Sequence, residues 1–276
     1  KKETAQIELY RKAAGLGWSG MVIPEQYGGA ATSYTDCAVV FEELGRGPLP
    51  GPFFSSGVLS ALVVLEGASE TQKKNLLPAI CSGKSIVVSA ITDKGAHWGP
   101  EAVETRLTKT SGGFVVLDGT KRFVFDGEAA TSFICAARTE SGGIALVLVD
   151  RESPGLSVTP QLGYMASVAE VRLDRVQVAG SNVLGEAGTG WRILDRALEK
   201  AIPILCAYQV GSCQEIFDFT AEYTRTRVVF GQPIGRFQRV QDHCVDLSIH
   251  LDAARYVTYE TLWKLDSGLP VTAGSH

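Results

Sequence analysis

The sequence predicts an α+β multidomain protein: a helical N-terminal domain over residues 1–84, a middle antiparallel β-domain over 85–180 and an incomplete C-terminal helical bundle over 181–276. Periodicity is the first reason. Apolar residues recur at helical spacing up to residue 84, alternate with polar ones from Ser85, and return to helical spacing near Gly190. Size is the second. A chain of 276 residues, 45% hydrophobic and 20% charged, can bury more than one core and has room for two or three domains.

Taken in order, Ile7 to Leu16 carries a helical pattern that stops at Gly15 and Gly17, before a loop marked by Pro24, Gly28 and Gly29. Residues 33–45 place Ala38, Phe41 and Leu44 on one helix face, with Gly45 as the expected C-terminal cap. "GPLPGPF" (47–53) is a rigid link, and the apolar run 55–66 follows as a helix. Ser69 and Gln72 have the spacing of a capping box that opens the next helix. Seven β-rich runs then appear between Ser85 and residue 180, separated by Gly, Asp, Ser and Pro, as in a sandwich or barrel. Segments 192–226 and 236–266 are long and amphipathic, and "RVVFGQPIGRFQ" (227–238) joins them.

Composition narrows the ligand class. The 26 basic and 30 acidic side chains leave a formal charge of −4 with no Lys/Arg block, so neither nucleic acid nor a membrane surface is an expected partner; a small molecule is. Cysteines 37, 81, 135, 206, 213 and 244 show no C-x-x-C spacing and sit in apolar runs, as reduced thiols do. No apolar run reaches the roughly 18 residues of a membrane span, and no secretory leader is visible, so the expected location is cytoplasmic. The chain begins inside a helical pattern and ends soon after one, and either end is expected to be cut. His243 and His250 stand two helical turns apart, about 10 Å, too far to share an ion, and no metal site is expected.

Six stretches resemble the acyl-CoA dehydrogenase family, in family order: "IPEQYGG" (23–29), "FEELGRG" (41–47), "SETQKKNLLPAICSG" (69–83), "DGTKRFVFDG" (118–127), "NVLGEAGTGW" (182–191) and "RVVFGQPIGRFQRVQ" (227–241). The resemblance implies FAD as cofactor, an acyl-CoA thioester as substrate, and a homo- or hetero-oligomer, dimer or tetramer. It implies that Arg227 meets the pyrophosphate of a neighbouring subunit's FAD, while Phe230 and Gln238 line its adenosine portion. A guanidinium fork suits phosphate oxygens, which agrees with the first assignment. On the β-domain the flavin ring is expected at Thr92, Phe123 and Phe125. The family's Thr-Glu-Pro reads Thr92-Asp93-Lys94 here, Phe123 replaces a stacking tryptophan, and Phe125 replaces the threonine that bonds flavin N5. Phe123 keeps a π-face for stacking, whereas Phe125 has no donor.

The reaction needs a carboxylate in a dry pocket to take the substrate's α-proton. In most of the family that glutamate lies in a region beyond His276; in a minority branch its position falls on Ala201. Glu199 is two residues away, about 200° around the helix, and faces elsewhere. No catalytic residue is assigned, and the chain by itself is expected to be inactive. Two other readings stay open. One is a non-catalytic partner subunit of a heteromeric acyl-CoA dehydrogenase, as in steroid side-chain β-oxidation. The other is an acyl-CoA oxidase or flavin monooxygenase of the same fold.

Overall fold

The computed structural model describes residues 2–93, 98–110, 112–163 and 167–271. Its helices are α1 (Lys2–Gly15), α2 (Tyr34–Arg46), α3 (Ala61–Gly67), α4 (Glu70–Cys81), α5 (Gly190–Thr226) and α6 (Gln238–Asp266). The strands are β1 (Val87–Ala90), β2 (Arg106–Lys109), β3 (Phe114–Phe125), β4 (Ser132–Thr139), β5 (Ile144–Asp150), β6 (Leu156–Gln161), β7 (Val168–Ala179) and β8 (Val183–Gly188), with a small pair β9 (Val228–Val229) and β10 (Gln232–Pro233). The helical, β and helical order is the one the periodicity predicts. The chain folds into two compact units: Lys1–Thr32 with Pro50–Leu198, and Ser33–Leu49 with Glu199–His276.

The first unit is built on one eight-stranded sheet of order β6-β7-β3-β2-β4-β5-β8, with β1 also paired to β4. Most neighbours are antiparallel, but β1 and β2 both run parallel to β4, so the sheet is mixed. Strand β4 is buried along nearly its whole length, with Phe133, Ile134, Cys135, Ala136 and Ala137 all at 1% exposure or less. Its short apolar run follows from this burial on both faces. Strand β8 arises inside "NVLGEAGTGW", a stretch whose glycines hide its strand character from the sequence.

The helices of this unit pack around Tyr10, Ile23, Leu62, Leu77 and Ile80, all nearly fully buried. The Tyr10 and Phe53 rings meet edge to face at 5.1 Å, a favoured aromatic geometry. A π-helical turn, Ser55–Ser60, leads into α3, where the sequence predicts one plain helix over 55–66. The capping box forms as expected, with Gln72 N–H donating to Ser69 Oγ at 3.3 Å and Ser69 N–H to Gln72 Oε1 at 2.8 Å.

The second unit contains α2, the greater part of α5, and α6. Gly45 is not the cap of α2: the helix runs on to Arg46, and Gly47 follows it. Gly45 lies at a close crossing instead. A Cβ there would stand 1.9 Å from the Tyr208 carbonyl oxygen, and one on Gly211 would stand 1.9 Å from that of Glu42. Two glycines, one on each helix, let the backbones touch, and Ser212 Oγ donates to Gly45 O at 2.9 Å. Helix α6 then holds α2 at two points. Asp266 accepts from the Tyr34 and Thr35 amides at 2.7 and 3.0 Å, capping the start of α2. Glu42 accepts from Arg255 Nη2 at 3.1 Å and from the Tyr259 hydroxyl at 2.6 Å.

Candidate functional site

The expected site residues fall on three segments, the loop after β1 and strand β3 in the first unit and residues 227–238 in the second. In the first unit, β3 changes character at a bulge between Lys121 and Val124 against β7. An extra residue in one strand bends it and re-aims side chains. Lys121 points inward and is fully buried, Val124 points inward, and Phe123 and Phe125 are 55% and 57% exposed. Phe123 adopts φ 54°, an outlier for a bulky side chain, and its N–H donates to Gln161 Oε1 at 3.1 Å. Both phenylalanines therefore display their rings, and neither belongs to the strand core.

Thr92 is brought to this segment from the loop after β1: the Arg122 amide donates to the Thr92 carbonyl at 2.8 Å. Asp93 turns away, into the interior. Its carboxylate accepts from Lys121 Nζ at 2.8 Å, from the Glu104 amide at 2.8 Å and from Thr105 Oγ1 at 2.5 Å. Burial pulls the Lys121 ammonium below its ordinary range, and Asp93 partly opposes that pull. Residues 94–97, including the substitution of Lys94 for proline, lie outside the described residues.

Asp126, next to Phe125, is a residue the sequence reading passed over. It too has φ 54°, and its carboxyl accepts from the Ser55 hydroxyl at 2.5 Å. Burial lifts that carboxyl above the usual carboxylate range, while the Ser55 bond opposes the lift. Its only sequence signal is the Asp-Gly pair at 126–127, which reads as a turn. A polar depression of about 430 Å³ lies between β3 and β7, lined by Asp118, Arg122, Glu170 and Arg172 among others. Its lining does not include Thr92, Phe123 or Phe125.

In the second unit, "RVVFGQPIGRFQ" is a two-residue β-hairpin. Val229 pairs with Gln232 and Val228 with Pro233, leaving Phe230 and Gly231 as the turn, at φ 53° and 77°. Positive φ at both turn residues is the type I′ geometry that fits the strand twist. Phe230 is 90% exposed, with Phe237 edge-on at 6.3 Å. Arg227 and Gln238 are exposed at the two ends of the segment. The Arg227 guanidinium has no acceptor among the described residues, while its backbone carbonyl closes the hairpin by accepting from the Ile234 amide at 2.9 Å. A planar cation, an exposed ring and a free amide are thus displayed within twelve residues.

Ala201 is fully buried on α5 and has no proton to exchange. His243 and His250 are exposed on α6, and no cluster of His, Cys, Asp or Glu able to hold a metal is found among the described residues. All six cysteines are free thiols: Cys37, Cys81 and Cys135 are buried, while Cys213 is exposed. No helix among the described residues is long and apolar enough to cross a membrane.

Comparison with known proteins supplies three family matches along the chain. The acyl-CoA dehydrogenase N-terminal domain matches residues 1–84, the middle domain 89–176 and the C-terminal domain 188–276. The mitochondrial 2-methylacyl-CoA dehydrogenase of Solanum tuberosum is 28% identical over 274 residues, which are 95% of this chain and 66% of that protein. The chain thus spans about two thirds of the length of that relative. Among solved structures, an FAD-dependent dehydrogenase superposes with a TM-score of 0.89 at 27% identity, over 97% of this chain and 76% of its own. PigA with FAD and proline gives 0.90 at 26% identity, over 98% and 73%.

Proposed function

This chain belongs to the acyl-CoA dehydrogenase family, and from that membership we propose that it is a flavoprotein acting in the α,β-dehydrogenation of an acyl-CoA thioester with FAD. The observation that carries the reading is the run of three family domains in order, with candidate cofactor-binding residues displayed in the middle and C-terminal ones. FAD, when bound, supplies the hydride acceptor. The chain's own residues would hold it. Exposed Phe123 would offer a face to an aromatic ring near Thr92, and exposed Phe125 would cover the adjoining edge. Arg227 offers an uncommitted fork of donors for a diphosphate, with Phe230 and Gln238 close by for the nucleoside end of a neighbouring subunit's cofactor.

The fit is good for stacking and for phosphate. It is poorer at one point, because Phe125 brings no side-chain donor to the place where the family has a threonine. Ala201 likewise supplies no base at the position used by a minority branch. These two apolar residues favour a second reading: a partner subunit whose exposed Arg227, Phe230 and Gln238 complete the cofactor site of a competent homologue.

Purified protein should be assayed for FAD content and for dye reduction with short, long and steroid acyl-CoAs, alone and mixed with a glutamate-bearing homologue. Activity only in the mixture supports the second reading; turnover by the chain alone shows a base elsewhere and sinks it. Arg227→Ala should release FAD more readily on gel filtration. Unchanged retention would remove Arg227 from the site.

A further inference from the structure

Residue 93 departs from the family sequence, yet the structure gives it a distinct task. Three consecutive residues after β1 are tied to two consecutive residues of β3. Lys121 Nζ donates to Ile91 O at 3.0 Å and to Asp93 Oδ2 at 2.8 Å, while the Arg122 amide donates to Thr92 O at 2.8 Å. Thr92 is thus held at its own carbonyl and on both flanks. Asp93 adds a third segment, the entry to β2, through the Glu104 and Thr105 amides and the Thr105 hydroxyl. Both partners are dry, with Lys121 at 0% exposure and Asp93 at 2%.

A buried ion pair is seldom the most stabilising way to fill such a space, since apolar groups of similar volume often serve as well or better. What a pair with fixed donors and acceptors adds is geometric specificity. The next residue along β3 needs it: Phe123 sits at φ 54° at the bulge, a conformation that persists only where its surroundings over-determine it. We propose that Asp93 and Lys121 are positioning residues, a buried ionic clasp that fixes Thr92 against Arg122, the neighbour of Phe123, and so sets the stance of the ring-binding segment. The proposal rests on the flavin reading for its consequence and on the hydrogen bonds alone for its geometry.

The test compares Asp93→Asn, Lys121→Met and the double variant by thermal unfolding, amide hydrogen exchange without cofactor, and FAD titration. Each single variant strands one partner in a dry site and should lower the melting temperature. The double variant removes both charges and should regain most of that loss. A merely structural pair would then regain everything. The clasp predicts otherwise: in the double variant the Arg122 and Phe123 amides exchange faster than in wild type, and FAD binds about tenfold more weakly.

Wild-type exchange and wild-type affinity in the double variant would overturn the proposal. Should that protein not fold, Thr105→Val keeps the pair but removes one donor to Asp93, and it should show a milder form of the same two changes; no change in either would overturn the clasp as well. If wild-type protein takes up no FAD, the flavin reading fails, and amide exchange still decides whether the clasp holds residues 91–93 to 121–123.

Discussion

Asp93 in the sheet unit and Glu42 in the helical unit are both acidic hubs that gather donors from distant parts of the chain, but they sit in different media. The Asp93 side chain is 2% exposed and its partner Lys121 0%, whereas Glu42 and Arg255 keep 17% and 27% of theirs. In the dry site each charge has the other as its ionic partner, and water cannot replace a lost one. At Glu42 water is at hand, and the load is spread over Arg255, the Tyr259 hydroxyl and, through Arg255 to Gln214, a third helix. The sheet unit thus holds a dry ion pair. The helical unit spreads its ionic hub over three helices, and lets backbone contact at Gly45 and Gly211 set the spacing of α2 and α5.

The largest expected effect comes from breaking the dry pair. Asp93→Ala should cost about 3–5 kcal/mol in denaturant unfolding, the usual penalty for an uncompensated buried charge. A loss nearer 1 kcal/mol, the value of exposed pairs, would mean that water reaches Lys121 and that the two hubs are alike.

Next in size is the glycine crossing. Gly211→Ala should destabilise by about 1–3 kcal/mol, because the new methyl group meets the Glu42 carbonyl and the helices must part. The same variant should leave the spectroscopic signature of the sheet unit unchanged. Loss of β structure along with helix would show that the units do not keep their polar and packing devices separate.

Alkaline pH probes both units at once. Burial pushes the thiols of Cys37, in the helical unit, and Cys135, in the sheet unit, from 9.0 up to about 12. Above pH 9 the unfolded chain releases these protons and the folded chain keeps them, so stability falls as pH rises from about 9 to 12. The slope should approach 1.4 kcal/mol per pH unit for each thiol. Cys37→Ala and Cys135→Ala should each flatten it, and urea midpoints taken at intervals from pH 8 to 10 would show whether one unit carries more of the loss.

The smallest effect separates the media directly. Glu42→Gln should cost about 0.5–1 kcal/mol, and part of that difference should vanish on going from about 0.05 to 0.5 M salt. The Asp93 variants should show no such salt dependence. Equal screening at both sites would erase the contrast between them.

Much of this architecture could be read from local pattern. Alternation located β3 and β7, an apolar run bounded by Gly143 and Asp150 located β5, helical spacing located α2, α5 and α6, and Ser69 with Gln72 announced the start of α4. What escaped depends on partners far along the chain. The parallel pairing of β1 and β2 with β4 leaves no mark on either segment's own residues. Gly45 satisfied the rule for a helix end, and only Tyr208, which it touches, reveals that it is a contact point. At the candidate site, motif order pointed to Thr92, Phe123, Phe125, Arg227, Phe230 and Gln238. The display of the rings at 123 and 125 needed the bulge, which period-two counting erases. Phe230 was legible as an odd residue in a break, while its place in a type I′ turn shows only in the pairing of Val229 with Gln232.

The assignment of Ser33–Leu49 to the helical unit bears on the order of events during synthesis. Helix α2 is translated early, but its side-chain partners come much later: Arg255 is 213 residues beyond Glu42. At the usual 5–20 residues per second the ribosome needs roughly 10–40 s to supply them. Until α5 and then α6 emerge, the buried face of α2, with Cys37, Ala38, Phe41 and Leu44, lacks the helices of its own unit, although the unit that flanks it in sequence can close before α6 is made. The waiting helix is thus open to chaperones for that interval, and a slowed or interrupted translation would leave its apolar surface uncovered.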